Sequence, residues 1–302
     1  MNTPRAHHYV PQFYLQGFTD MTRAKKPVLW VYEKQKPTRR STPTESGHQR
    51  DFYAFQDKDG TKNFEVENLL SQLEGVVAPL VQNAEPSEIL RRKAIFAVFV
   101  ALTQQRVPAA RKYTRQVMRQ MVEAFRNESP SASVWREFLR QAAQIQGIGP
   151  FDDQFFEWIG SDEGQGELTA PQVLQLTIGS VFRYAEVLFE AGWELSPSPV
   201  QPLVTSDNPA YTMKPGDPVR FGFGVKVPGV EMLFPVRRNL LLRISRALTQ
   251  DGIREIPPTA ARNVNKMTMQ CATRFLFASE DSEKIRRLFD ELGCAGRCPV
   301  RS

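Results

Sequence analysis

Glu231-Met232-Leu233-Phe234-Pro235-Val236-Arg237-Arg238-Asn239-Leu240-Leu241-Leu242-Arg243-Ile244 decides how the chain folds. Two apolar runs of strand length flank the polar step Arg237-Arg238-Asn239, the pattern of antiparallel strands joined as a hairpin. Gln201-Pro202-Leu203-Val204-Thr205 reads as a further strand, and Ser206-Asp207-Asn208-Pro209 as a tight turn. Downstream the pattern predicts a helix over 259–269, a strand over 272–278 and a closing helix over 282–292. Residues 200–293 are therefore a β-rich end with a terminal helix.

Upstream the apolar period changes. Val66, Leu69, Leu70, Leu73, Val76, Val77, Leu80 and Val81 follow steps of three and four, one stripe of a helix over 65–83. Residues 87–105 are apolar nearly all round, which predicts a central, buried helix that Pro108 ends or kinks. Further helices are expected over 109–126, 133–146, 152–159 and 170–191, with an acidic loop at 160–166. The start is mixed: a short helix from Pro11 to Phe18, a strand at 27–33, a polar loop at 34–49, a strand at 51–55 and a turn at 57–60. A β-rich start (1–60), a helical middle (64–192) and a β-rich end (200–293) predict an α+β fold. Both ends are expected to build one shared sheet, so residues 1–302 form a single domain.

At 41% hydrophobic and 24% charged residues the chain is ordered globular material. A net charge of +6, modest for this length, suits an anionic partner, nucleic acid or an acidic protein, and equally a face that serves only solubility. No apolar run reaches the roughly 20 residues of a membrane span, and Met1 to His8 lacks the apolar core of a secretory signal. A cytoplasmic setting and no membrane association are expected. The three cysteines exclude a disulfide framework, and Cys294 with Cys298 makes only half a zinc pattern. Phosphate-cradling, dinucleotide-binding, nucleophile-elbow and His-Glu-x-x-His patterns do not occur, which argues against P-loop and Rossmann chemistry.

Few residues carry chemistry. His7 and His8 are two of only three histidines, and imidazole titrates near neutrality and ligates metals. Neighbours on a strand point apart, so one histidine would act as ligand or base while the other bonds to backbone or caps the next helix. Glu67 and Glu74 lie two helical turns apart, about 10.5 Å on one face. They either flank a substrate or remain solvated at the helix edge. Arg106, at the end of the apolar helix, either binds phosphate or bridges to Glu67 or Glu74 and locks two helices. Asp207 follows an apolar strand, a place that suits a catalytic carboxylate as well as an Asx-type turn. Arg111, Arg115 and Arg119 recur every four residues on one helix face. That face could track phosphates or simply be solvated.

His7-His8-Tyr9-Val10-Pro11-Gln12-Phe13-Tyr14-Leu15, Glu67 with Glu74, Gln104-Gln105-Arg106-Val107-Pro108, Thr205-Ser206-Asp207-Asn208-Pro209 and Phe234-Pro235-Val236 together resemble the DUF4238 family of proteins of unknown function. The resemblance runs through nearly the whole chain. Its specific parts are the opening motif and the Ser-Asp-Asn-Pro turn. It implies one recurring pattern and brings no activity with it.

Three functions follow as expectations. In the first, His8, with or without His7, joins Asp207 and Glu67 or Glu74 around a divalent cation. Mixed His and carboxylate ligands suit Mn, Mg or Zn. The metal would activate water against a phosphodiester, with Arg106 steadying charge, which describes a nuclease-like hydrolase. In the second, the same residues form a structural network in a noncatalytic module that binds nucleic acid or protein. In the third, the helical middle is a dimerising scaffold.

Overall fold

The computed structural model describes residues 6–20, 27–50, 55–56, 62–63, 65–127, 181–214 and 224–293, with 133–134, 136–137, 140 and 157. The expected helices over 133–146 and 152–159, the acidic loop at 160–166, and Cys294 and Cys298 lie mostly or wholly outside these residues.

The chain begins with strand β1 (Ala6–His8) and helix α1 (Gln12–Gln16). Strands β2 (Leu29–Glu33), β3 (Arg39–Ser41) and β4 (His48–Arg50) follow, then the short pair β5 (Phe55–Gln56) and β6 (Lys62–Asn63). The helical middle contains α2 (Glu65–Gln82), α3 (Pro86–Arg91), α4 (Lys93–Gln105), α5 (Pro108–Arg126) and α6 (Val181–Glu190). The end carries β7 (Gly192–Pro197), β8 (Thr205–Ser206), β9 (Tyr211–Met213), β10 (Glu231–Arg237), β11 (Leu240–Ser245), β12 (Gly252–Ile253), α7 (Pro258–Cys271), β13 (Phe275–Ala278) and α8 (Glu283–Leu292). The architecture is α+β.

The two ends do share a sheet, in the order β3-β2-β13-β8, where β13 runs antiparallel to both β2 and β8. A second sheet comes from the C-terminal part alone, in the order β12-β7-β11-β10-β9. Its centre is the expected hairpin, with Phe234 opposite Leu242. The segment 34–49, expected as loop, holds β3 and most of β4: β3 folds back on β2 just before it, and β4 pairs with β1 some forty positions earlier.

Strand alternation explains the layers. On one face of the five-stranded sheet, Trp193, Leu195, Met232, Phe234, Leu242 and Ile244 enter the main core. There they meet α4, whose residues Phe96, Phe99, Val100 and Leu102 are buried. Phe99 packs edge-on against Phe234 at 5.9 Å, and Phe96 against Trp193 at 6.1 Å. On the opposite face, Leu233, Leu241 and Tyr211 pack with Leu203, Ala261 and Val264 of the α7 side. The shared sheet is likewise covered twice. Val31 and Phe277 face the main core, while Tyr32 and Leu276 face Met269 and Phe289 from α7 and α8. Pro108 stands at the first position of α5, after α4 has ended at Gln105, as its missing donor dictates.

Candidate functional site

The opening motif starts in a two-stranded ribbon and runs on into α1. β1 pairs with β4 so that His7 faces Gln49 and His8 faces His48. All three histidines of the chain thus sit in one ribbon. Gly47, with φ +66°, turns the chain into β4. Its carbonyl accepts from Val10 N at 3.0 Å, and a Cβ there would stand 2.9 Å from Val10 Cβ.

His7 is buried, His8 is half-buried and His48 is exposed. The rings of His8 and His48 lie 5.2 Å apart. His8 Nε2 donates to the Thr44 carbonyl at 3.0 Å, and Gln12 Nε2 donates to His8 Nδ1 at 3.3 Å. That partner set suits the neutral Nε2–H tautomer. Burial lowers the His8 pKa, partly countered by the Thr44 contact, and nearby His48 and Arg106 lower it further. His48 escaped the sequence reading. Three-residue strands leave no periodicity, and the only signal was that it is the third histidine of three.

Arg106 caps the end of α4 and its side chain is wholly enclosed. Nε donates to the Tyr9 carbonyl at 2.9 Å, and Nη1 reaches Glu74 Oε1 at 2.7 Å. The guanidinium therefore ties α2 and α4 to the segment that follows β1, the bridging role foreseen for it. Glu74 is the partner. Glu67 lies one heptad earlier on α2, and its side chain lies outside the described residues.

Asp207 follows β8 in a buried turn. Oδ1 accepts from Thr273 N at 2.7 Å, and Oδ2 accepts from Arg274 N at 2.8 Å and Phe275 N at 3.2 Å. Its own N–H donates to the Phe275 carbonyl at 3.0 Å. The carboxylate thus organises the entry into β13. Burial pushes its pKa up to about 6, against the pull of these backbone donors. Ser206 Oγ closes the turn on Asn208 N at 3.1 Å, and Asn208 Nδ2 donates to the Cys271 carbonyl at 3.0 Å.

Tyr14 joins the remaining segments. Its hydroxyl donates to the Pro235 carbonyl at 2.6 Å and lies 2.7 Å from Thr205 Oγ1. Its ring stacks on Phe234 at 5.3 Å. Side chains from the opening motif, the Thr205–Pro209 turn and the Phe234–Val236 strand thus meet at one phenol.

The expected metal set of His7, His8 and Asp207 is not assembled. Among the described residues, no group of three or more His, Cys, Asp or Glu side chains could hold a metal ion. The reason is local: Asp207 spends both oxygens on backbone N–H groups, and Glu74 faces a guanidinium. Away from the ribbon, Arg115 and Arg119 are exposed on α5, and Arg111 is partly so. Among the described residues, no helix is long and apolar enough to cross a membrane.

Compared with known proteins, residues 6–282 match the model of a family described as "Protein of unknown function (DUF4238)". No curated protein and no solved structure matches the chain.

Proposed function

The chain belongs to the DUF4238 family, and from that premise we propose that it is a noncatalytic module that binds an anionic polymer, nucleic acid, along α5. One observation carries this reading: the polar atoms of the motif segments are spent on holding elements together. Arg106 is committed to Tyr9 and Glu74, Asp207 to the start of β13, and Tyr14 to Thr205 and Pro235. The α5 segment supplies the binding face. It carries Arg111, Lys112, Arg115, Arg119 and Arg126 against the single carboxylate Glu123.

Fluorescence anisotropy with a single-stranded RNA and a duplex DNA tests it. Three phosphate contacts give a slope of log K against log salt of about −2 to −3. Arg115→Glu is expected to weaken binding about tenfold and to flatten that slope. Salt-independent affinity, or full affinity in Arg115→Glu, rejects α5 as the interface.

The phosphodiesterase reading is supported by one feature, the His8–His48 pair. Two imidazoles at this separation, one held neutral, suit general acid–base cleavage. On that reading, RNA cleavage falls about 100-fold or more in His48→Gln. Cleavage that survives chelation and fails in His48→Gln replaces the noncatalytic proposal. Cleavage abolished by chelation and restored by Mn, Mg or Zn returns a divalent cation to the mechanism.

A further inference from the structure

A cavity of about 310 Å³ opens between the five-stranded sheet and the N-terminal half of α7, lined by none of the residues given a role above. Its size lies near the lower end of the range for small-molecule pockets. Leu233, Leu241 and Val264 make it apolar, and Met213 and Met267 add two thioether walls. Methionine adapts to the shape beside it, and its sulfur sits well near the edge of an aromatic ring. The walls therefore suit a small, flat, apolar body.

The charged side chains around the cavity favour a neutral occupant. Arg243 on β11 lies between two carboxylates, with Nη2 3.2 Å from Glu194 Oε1 and Nη1 donating to Glu231 Oε1 at 3.1 Å. A cation entering the cavity would have to compete with Arg243 for both. Arg254 and Glu255 also line it and are exposed. Three carboxylates thus face two guanidinium groups, so an anion meets an excess of its own sign. One polar group is left over. Ser196 is only 4% exposed. Alternation along β7 sends Trp193 and Leu195 into the main core, and Glu194 and Ser196 to the opposite face, where they line the cavity. The Ser196 hydroxyl has no hydrogen-bond partner among the described residues. A nearly buried hydroxyl that opens onto a cavity finds its partner in whatever fills it.

We propose that this cavity binds a small neutral carbonyl compound with a flat apolar body, the chemistry of an aryl ketone. Ser196 Oγ–H donates to the carbonyl oxygen, and the ring lies between Met213 and Met267, among Leu233, Leu241 and Val264. A ketone accepts and brings no donor of its own, so it leaves no polar hydrogen unmet against the apolar walls. This site is independent of the α5 interface, and nothing in its test involves nucleic acid.

Acetophenone is the probe, followed by calorimetry and by chemical-shift changes in the full-length protein. Benzoate keeps its size and adds a negative charge, and ethylbenzene keeps its body and lacks the carbonyl. Acetophenone is expected to saturate with a Kd of about 1 mM or tighter, and benzoate to bind at least about tenfold more weakly. Ser196→Ala is expected to weaken acetophenone about fivefold, the worth of one hydrogen bond, and to cost ethylbenzene nothing. Ala260→Phe fills the cavity without altering its charges and is expected to abolish binding of acetophenone in a protein whose thermal unfolding remains cooperative. Equal losses of acetophenone and ethylbenzene in Ser196→Ala, or no loss of acetophenone, overturn the hydrogen bond from Ser196. Equal binding of benzoate overturns the preference for a neutral ligand. No saturation with acetophenone, or unchanged binding in Ala260→Phe, overturns the site.

Discussion

Tyr14 shows how one side chain can serve three segments. Tyr14→Phe keeps the ring on Phe234 but leaves the Pro235 carbonyl and the Thr205 hydroxyl without their shared partner. The expected loss is about 1–3 kcal/mol, measured by denaturant unfolding. Asp207 makes a sharper case. In Asp207→Asn the amide nitrogen cannot accept from Thr273, Arg274 or Phe275, so a loss of about 1–3 kcal/mol is expected at neutral pH. Its linkage to pH runs opposite to the usual carboxylate. The folded pKa of about 6 lies above the unfolded one, so protonation favours the folded state. This contribution is fully present below about pH 4 and lost as pH rises through 6, about 3 kcal/mol in all. The stability difference between wild type and Asp207→Asn, followed from pH 4 to 7, isolates it. His8 runs the other way: its lowered pKa means that protonation below about pH 6.5 favours the unfolded chain. At this scale the sequence was legible in part. It singled out Arg106 and Asp207 and named the bridge and the turn among their roles. It could not show that Asp207 faces three amides, because Thr273 to Phe275 lie 66–68 positions away.

Elements were read best where one period ran long enough to dominate. α2 and the β10–β11 hairpin stand where apolar spacing places them, while the single helix expected over 87–105 is divided at Arg92 into α3 and α4. The short strands β1, β3 and β4 did not declare themselves, since three residues hold barely one alternation, and β1 and β4 find each other only across some forty positions. β7 was missed for a different reason. Gly192-Trp193-Glu194-Leu195-Ser196-Pro197 begins straight after a helix and alternates, yet its two polar positions, Glu194 and Ser196, line a cavity between the five-stranded sheet and α7. The ribbon offers a test of a single turn. Gly47→Ala must hold φ near +66° and bring a Cβ against Val10. About 1–3 kcal/mol of destabilisation is expected in chemical denaturation. The hairpin end is tied just as locally. Arg237 Nη1 and Nη2 donate to the Val81 and Ala84 carbonyls at the end of α2, at 3.1 and 2.9 Å, where a cation also meets the negative end of the helix dipole.

Across the whole molecule, the shared sheet makes the two ends interdependent. β13 separates β2 from β8, and both bond to it. Removing residues 273–293 takes away that central strand and α8 together. It exposes Tyr32, Val31 and Met269, and cooperative thermal unfolding is expected to vanish even though α2, α4 and the β10–β11 hairpin are intact in sequence. A sharp transition in that truncated chain would mean that the five-stranded sheet and the helices form a unit of their own. The expectation of a sheet drawn from both ends was sound. The second sheet was hidden because its edge strands β9 and β12 are only three and two residues long.

The central place of β13 also sets a timetable. Tyr32 donates its hydroxyl proton to the carbonyl of Glu280, 248 positions later. A ribosome working at about 5–20 residues per second needs on the order of ten to fifty seconds to cover that distance. Throughout that interval β2 has emerged and can pair with β3 on one edge, but β13, its partner on the other edge, does not yet exist. The cell therefore meets this protein first as an unfinished sheet edge. How much of it survives synthesis depends on what shields Leu29 to Glu33 during those seconds.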